Sequence, residues 1–590
     1  MAPAPLCNYP DSCGFFRFHR GRLEAGVRGP RVPYTSVGRH RVADVRMLET
    51  RGDPLQKRIV VGVLVALALV CIPVLVSLRP STWSADTSNE GVFRYVLWIL
   101  VLAALQLAAL LASWGRPRLS LGLFAAMALL SAAAYFNFGH FHFPHFIHHH
   151  EMFHYQLGSK YFPEVGFDGL YIASIAAQQE SHPGLRPPVR VRDLRSNNLV
   201  EPAALQAHRE EVLARFTPQR WRGFVNDNDF FVRAIPPLHF NRIRRDHGYN
   251  PSPAWTFTAR LLNGGELTAR RLTLLATLDV VLLAITFAFV FRTYGARVGC
   301  LALVIFGIGW AGRFAFVGGA YLRADWLAAT TIAVCMLKRG RPGTAGALLG
   351  YAAAVRLFPI AFLFGPALLA GKALLAGERP RWALRLFAGF GAALALAVAA
   401  GCLTGHGTRA WSDFASRMDL YRLSIARNAV GLESVVLYGP EVLARAVVDP
   451  GDEQGWNLER EDWVSRRLDR RVGLRLAQAL LLGLLAAALW RSTPADAVIL
   501  SMVALFALTH AANYYWTILL MVPLWRAGTG TAGVLLVSFA MYGIALVEAN
   551  TIVRHGLFSW ALLLLFLSWL VPRAIATLRR LPGEAGALES

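Results

Sequence analysis

Apolar residues in this chain fall in long blocks, separated by short basic connections and two long polar stretches. Residues 59–78, IVVGVLVALALVCIPVLVSL, and 557–571, LFSWALLLLFLSWLV, contain no charge. An apolar run of about 18 or more residues predicts a membrane-crossing helix. The pattern predicts helices near 59–78, 93–113, 119–136, 272–291, 298–319, 322–337, 383–403, 473–490, 496–511, 514–527, 532–548 and 556–574. That is an all-α polytopic integral membrane protein with about twelve transmembrane helices and both termini on one side.

One block resists a simple crossing. Residues 344–371, TAGALLGYAAAVRLFPIAFLFGPALLAG, have basic flanks on both sides, and Arg356 and Pro359 divide the block. We expect a re-entrant or broken helix pair there. Irregular backbone and a buried charge persist at membrane depth only against protein or a watery cavity. The organisation expected is then a basic segment 1–57 with little structure, helices over 58–136, and a large polar region 137–270. Helices with the re-entrant segment follow over 271–404, then a second polar region 405–472, helices over 473–575 and a tail 576–590.

Charge sets the expected orientation. Residues 1–58 hold eleven Lys/Arg against five acids, and WGRPR, FRTYGAR, KRGR and LRRL are short basic connections that fall on the same side. The positive-inside rule makes that side cytoplasmic, with both termini, and puts 137–270 and 405–472 outside the cytoplasm. Composition agrees with a membrane chain: 55% of the 590 residues are hydrophobic and only 16% charged, against about 25% charged in soluble domains. The net charge of +23 does not indicate nucleic acid, because the cations sit at helix ends and no basic run is interleaved with aromatics. None of the six cysteines (Cys7, Cys13, Cys71, Cys300, Cys335, Cys402) lies in the larger polar region, so no disulfide framework is expected there. The heavy use of Ala, Arg, Leu and Gly suggests a GC-rich bacterial source, so the membrane expected is a bacterial inner membrane. The first apolar block begins near Ile59, too late for a signal peptide, and Met47 is a second candidate start.

The chemistry concentrates after the third helix. HFHFPHFIHHHEMFHYQLGSKYF, residues 140–162, places seven histidines in fifteen residues, and His150-Glu151-Met152-Phe153-His154 spells H-E-x-x-H. In zinc proteases two such histidines, one helical turn apart, bind the metal while the Glu activates its water. Pro144 upstream and the Gly, Pro and aromatic residues downstream argue against a long helix here, so adventitious or structural metal binding by the histidines competes with that reading. A third reading centres on Glu151: a carboxylate at the membrane edge among aromatics can accept a hydroxyl proton beside a sugar. NDND (226–229) reads as a solvated turn, since Asn and Asp favour turns. Arg323 and Asp325 read as an interfacial ion pair, with Arg323 meeting a lipid phosphate as the alternative. Arg356 and Arg313, inside apolar blocks, are functional candidates by position.

The order of these elements resembles the GT-C superfamily of membrane glycosyltransferases, most of all glycosyltransferase family 87 and related polyprenyl-phosphate-sugar enzymes. The resemblance rests on HHHEMFHYQLGSKYFPEVGFDGLY, DHGYNPSPAW (246–255), AGALLGYAAAVRLFPIAFL with Arg356 and Pro359, WSDF (411–414) with Asn428, and THAANYYWTILLMVP (509–523). The chain departs from the pattern in two extra leading helices, a 134-residue first outer region, and Glu151 where the family has Asp.

The resemblance implies an inverting hexosyltransferase that moves a sugar from a polyprenyl-phosphate donor in the bilayer to a glycan, lipid or protein acceptor. It implies Glu151 as general base, and Arg356, Lys160 or Arg323 beside the lipid phosphate. Tyr155, Tyr171, Asp246, Tyr249 and Asn250 would shape the sugar pocket with His150 and His154, and Glu151, Asp246 and Arg356 would open onto one outward cavity. No cofactor is required. A divalent metal on His150 and His154 is compatible with the reading. A zinc metalloprotease, a lipid-linked glycan transporter or polymerase, and a non-catalytic scaffold are the rivals.

Overall fold

The computed structural model describes residues 54–78, 88–141, 146–422, 428–437, 463–548 and 550–579. The expectations for 1–53, for much of the second polar region and for the end of the tail lie outside these residues.

Among the described residues, nine helices are long and apolar enough to cross a membrane. They are Val60–Ser77, Asn89–Ser113, Pro117–Tyr135, Ala269–Tyr294, Phe358–Leu375, Arg381–Thr404, Arg471–Leu489, Thr529–Val547 and Thr551–Leu578. Their outward faces are aliphatic: Leu129, Leu384, Leu396, Leu480 and Val547 all stand exposed. Contiguous apolar surface of that extent marks a membrane-facing protein, and the chain is a multi-pass, all-α membrane protein. The described strands are two-residue ladders, Val191–Arg192 with Leu199–Val200 and Ala429–Val430 with Ala511–Ala512.

Four expected crossings are shorter or broken. The helix from Ala296 ends at Ile308, and Asp325–Lys338 has only 14 residues. Pro494–Leu500 and Met502–Leu508 are separate helices, and residues 513–521 form a 3₁₀ stretch. Gly309 ends the first of these in extended backbone, where a Cβ would meet the Ile305 carbonyl at 2.3 Å. The expected break at Arg356 is present: helix Pro342–Arg356 stops where Leu357 takes φ +53°, before Pro359. The second half differs from expectation. Phe358–Leu375 runs on as 3₁₀ then α-helix and is itself long enough to cross.

Helices Pro342–Arg356 and Arg381–Gly401 approach each other through glycine. A Cβ on Gly346 would sit 1.8 Å from the Leu386 carbonyl oxygen, and one on Gly389 would sit 2.1 Å from that of Gly343. Small residues allow this approach in membranes, where helix association depends on contact rather than on the hydrophobic effect. A buried ion cluster ties other helices together. Glu90 Oε1 accepts from Arg94 Nε (2.9 Å) and Arg313 Nη2 (2.6 Å), and Arg94 also reaches the Ala134 carbonyl and Asn137. Arg313 is therefore a structural counter-charge rather than a free functional cation.

The region between Tyr135 and Ala269 folds on its own polar logic. Helices Leu170–Ser181, Pro218–Ala234 and Pro253–Leu262 start on good caps where one is present: Thr217 Oγ1 accepts from Arg220 N and Ser252 Oγ from Trp255 N, each with Pro next in line. NDND is not a solvated turn. It lies within Pro218–Ala234, where Asp227 binds Lys160 and the Tyr161 hydroxyl, Asn228 binds Ser174, and Asp229 binds His182. Local turn propensity loses there because Asp227, Asn228 and Asp229, all buried, each find a side-chain partner, while Asn226 stays exposed.

Candidate functional site

The H-E-x-x-H segment is helical after all. His149–Met152 is α-helical, Phe153–Leu157 forms a π-helical turn and Gly158–Lys160 returns to α. Single π turns inside helices recur at functional sites. His148 caps the start, its Nδ1 accepting from Glu151 N at 3.4 Å. Gly158 is required downstream, because a Cβ there would meet the Tyr249 ring at 2.5 Å. On this helix His150 and His154 share one face, their ring centroids 5.0 Å apart.

Glu151 faces another way. Its Oε2 lies 3.2 Å from Nε of Arg323, and both side chains are buried or nearly so. Arg323 comes from the connection between Ala296–Ile308 and Asp325–Lys338. Its guanidinium lies over the Tyr155 ring at 4.3 Å and the Tyr514 ring at 5.4 Å. Arg356 joins from the broken helix, 5.8 Å from the Tyr155 centroid and 5.7 Å from that of Trp255. Tyr155 thus lies beside two guanidiniums, and its hydroxyl donates to Asn250 Oδ1 at 2.9 Å. Aromatic faces attract cations in this way.

The backbone around Arg323 is held from several sides. Leu322 has φ +49°, and its carbonyl accepts from Trp255 Nε1 (3.0 Å) and Arg356 Nη2 (3.3 Å). Asp279, on the membrane helix Ala269–Tyr294, accepts from the N–H groups of Arg323 (2.8 Å) and Ala324 (3.0 Å). Upstream, Gly319 at φ +68° lets the chain pass the Phe146 carbonyl, 1.9 Å from where a Cβ would stand, and its own carbonyl accepts from His148 N. The same contact that aligns the Glu151 helix therefore aligns the Arg323 turn.

The histidine face has a third partner. His150 Nε2 donates to Asp246 Oδ2 at 3.0 Å. His154 Nε2 meets the Tyr171 hydroxyl at 2.7 Å, and that hydroxyl accepts from Gly248 N at 3.0 Å. Burial works against a charge on His150, but Asp246 and Glu151 outweigh it and raise its pKa. Burial, with the charge of His150, pushes His154 down to about 4. The protein surroundings of Asp246, whose side chain is still partly open to solvent, work against its charge, yet the neighbouring histidines hold its carboxyl well below the usual range.

Glu151, Tyr155, Asn250, Arg323 and Arg356, expected together, come together. His150, His154, Tyr171 and Asp246 form a second group on the adjoining face. Other expectations are corrected. Lys160 is committed to Asp227 and the Gly265 carbonyl, away from the arginines. Tyr249 is fully buried and bonded to Thr256, a packing residue rather than a pocket wall. Arg323 pairs with Glu151, not with Asp325, whose carboxylate accepts from Trp326 N and the Tyr351 hydroxyl. Glu151, Asp246 and Arg356 are absent from the lining of the cavity beside Arg323, which is walled by residues that include Asp279, Arg313, Trp326, Tyr514 and Tyr515. Asp279 was not anticipated; a lone acid in an apolar block was its one signal. Tyr514 and Tyr515 carry no signal in the sequence beyond their place in THAANYYWTILLMVP.

No protein-family model, curated protein or solved structure matches this chain. The Glu that a zinc protease uses on its metal-bound water is here paired with Arg323. Chemically, the first group offers a carboxylate that can take a proton, next to two cations that can hold an anion.

Proposed function

We propose that the chain is a GT-C-like membrane glycosyltransferase of a bacterial inner membrane, with its termini in the cytoplasm, about twelve membrane segments and its site on the outer side. It transfers a hexose from a polyprenyl-phosphate donor to an extracytoplasmic glycan, lipid or protein acceptor. The observation that carries this reading is the Glu151–Arg323 pair with Arg356 on the same tyrosine ring, where membrane helices meet the large polar region.

Glu151 accepts the proton of the acceptor hydroxyl. The hydroxyl oxygen attacks the sugar C1 from the face opposite the phosphate, the C1–O bond to phosphate breaks, and the configuration inverts. The phosphate stays on the polyprenyl lipid with the electron pair, held by Arg323 and Arg356; guanidinium forks suit phosphate oxygens. Asn250 and Tyr155 contribute polar contacts at the sugar. Asp246, drawn to His150, is no longer part of this pocket. No nucleotide or other cofactor enters these steps.

The test is transfer from radiolabelled polyprenyl-phosphate hexoses by purified protein, wild type against Glu151→Gln. Loss of a general base costs on the order of 10²–10⁴-fold in rate. Product formation unchanged in Glu151→Gln, or no donor consumed by wild type across the common hexoses, sinks the reading.

A further inference from the structure

The geometry points to a divalent-cation site built from a ring nitrogen of His150, a ring nitrogen of His154 and a carboxylate oxygen of Asp246. These ligand atoms lie within 4.8 Å of one another. The sequence motif supplies only the two histidines. The third donor comes from 92 residues further along the chain, on the loop that begins at Asp246. Two imidazoles and one carboxylate form a donor set suited to Zn²⁺ and its neighbours, and three protein ligands leave one coordination position open.

The surroundings prepare these atoms as ligands. The Tyr171 hydroxyl accepts from Gly248 N and lies 2.7 Å from His154 Nε2, so an ion that takes the lone pair of that nitrogen displaces the Tyr171 hydrogen bond from it. Asp246 is fixed by its second oxygen, Oδ1, which accepts from His247 N at 2.8 Å, while Oδ2 faces His150. Fixing a ligand's tautomer and orientation through its remaining atoms is how proteins tune metal sites. A bound cation takes the place of the proton that His150 shares with Asp246. It ties the His149–Lys160 helical stretch to the loop that carries Asn250 to the Tyr155 hydroxyl. The site stands independently of the transferase reading: it holds its ion whether or not Glu151 acts as a base.

The test uses full-length protein, stripped with chelator in detergent and titrated with Zn²⁺ alone by calorimetry at pH 7.5. Wild type should bind one tight equivalent. His140→Ala/His142→Ala/His145→Ala, which removes most of the neighbouring histidine tract, should keep it. Asp246→Asn and His154→Gln should each weaken it at least tenfold. Tight binding lost in the triple variant but retained in Asp246→Asn overturns the assignment and gives the ion to the tract. So does the absence of a tight equivalent in wild type. X-ray absorption on Zn²⁺-loaded wild type needs no variant to fold: two imidazoles with oxygen donors are expected, and three or more imidazoles refute the site.

Discussion

Arg323 answers three demands at once: its guanidinium faces Glu151, its faces meet two tyrosines, and its backbone N–H is held by Asp279. Histidines of the large polar region make the acid response of the molecule legible at the same scale. His154 is held to about 4, and burial with the Arg192 charge brings His247 to about 4 as well. An unfolded chain binds protons at these histidines near pH 6.5, but the fold refuses them until about pH 4. Stability therefore falls as pH drops through that window, by up to about 3 kcal/mol for His154. His150, raised by Asp246, works the other way: its contribution is full in acid and is lost as pH rises through its folded value. With two histidines against one, the unfolding midpoint should fall between pH 7 and pH 5, and less steeply in His154→Gln. Equal slopes for the two proteins would refute this account. Sequence could name Glu151, Tyr155, Asn250, Arg323 and Arg356, because an odd charge or a recurring motif flags each of them. It could not join Asp246 to His150 or Asp227 to Lys160, since those pairings depend on how distant segments cross.

At the level of elements, long apolar blocks were readable because a membrane enforces hydrophobicity along their whole length, as in Arg471–Leu489 and Thr551–Leu578. Asp325–Lys338 and the two pieces at 494–508 read as crossings in sequence though they are short or broken, because a helix covered by protein is as apolar as a spanning one. The NDND helix was missed because local preference records no partners. The glycine contact between Pro342–Arg356 and Arg381–Gly401 offers a direct comparison on one helix. Gly389 abuts the Gly343 carbonyl, whereas a Cβ on Gly391 meets nothing within 4 Å. Gly389→Leu should cost about 1–3 kcal/mol or more through overpacking, while Gly391→Leu should leave the unfolding midpoint of detergent-solubilised protein nearly unchanged. Similar midpoints for the two would mean that the helices do not pack through glycine.

For the whole molecule, the proposed orientation makes a claim about sides. Gly184 and Thr408 lie in the polar regions assigned to the outside, and Arg292 and Arg341 lie in basic connections assigned to the cytoplasm; all four positions are exposed. Single cysteines at each position, in a chain cleared of its own cysteines, should react with a membrane-impermeant maleimide in intact cells at 184 and 408 and not at 292 and 341. The reverse pattern would turn the protein over and remove the outer-face transferase reading with it.

Asp279 brings these scales together. The carboxylate that shapes the Arg323 turn belongs to a helix whose depth is set by the bilayer. Tilting that helix to fit a thinner or thicker hydrocarbon layer moves the hook on which the arginine hangs. On the transferase reading, Arg323 would then be in register with its phosphate at one lipid length and displaced at others. Reconstitution across a series of acyl-chain lengths should give a single optimum in thermal stability, flattened in Asp279→Asn, and a wild type indifferent to chain length would dismiss the idea.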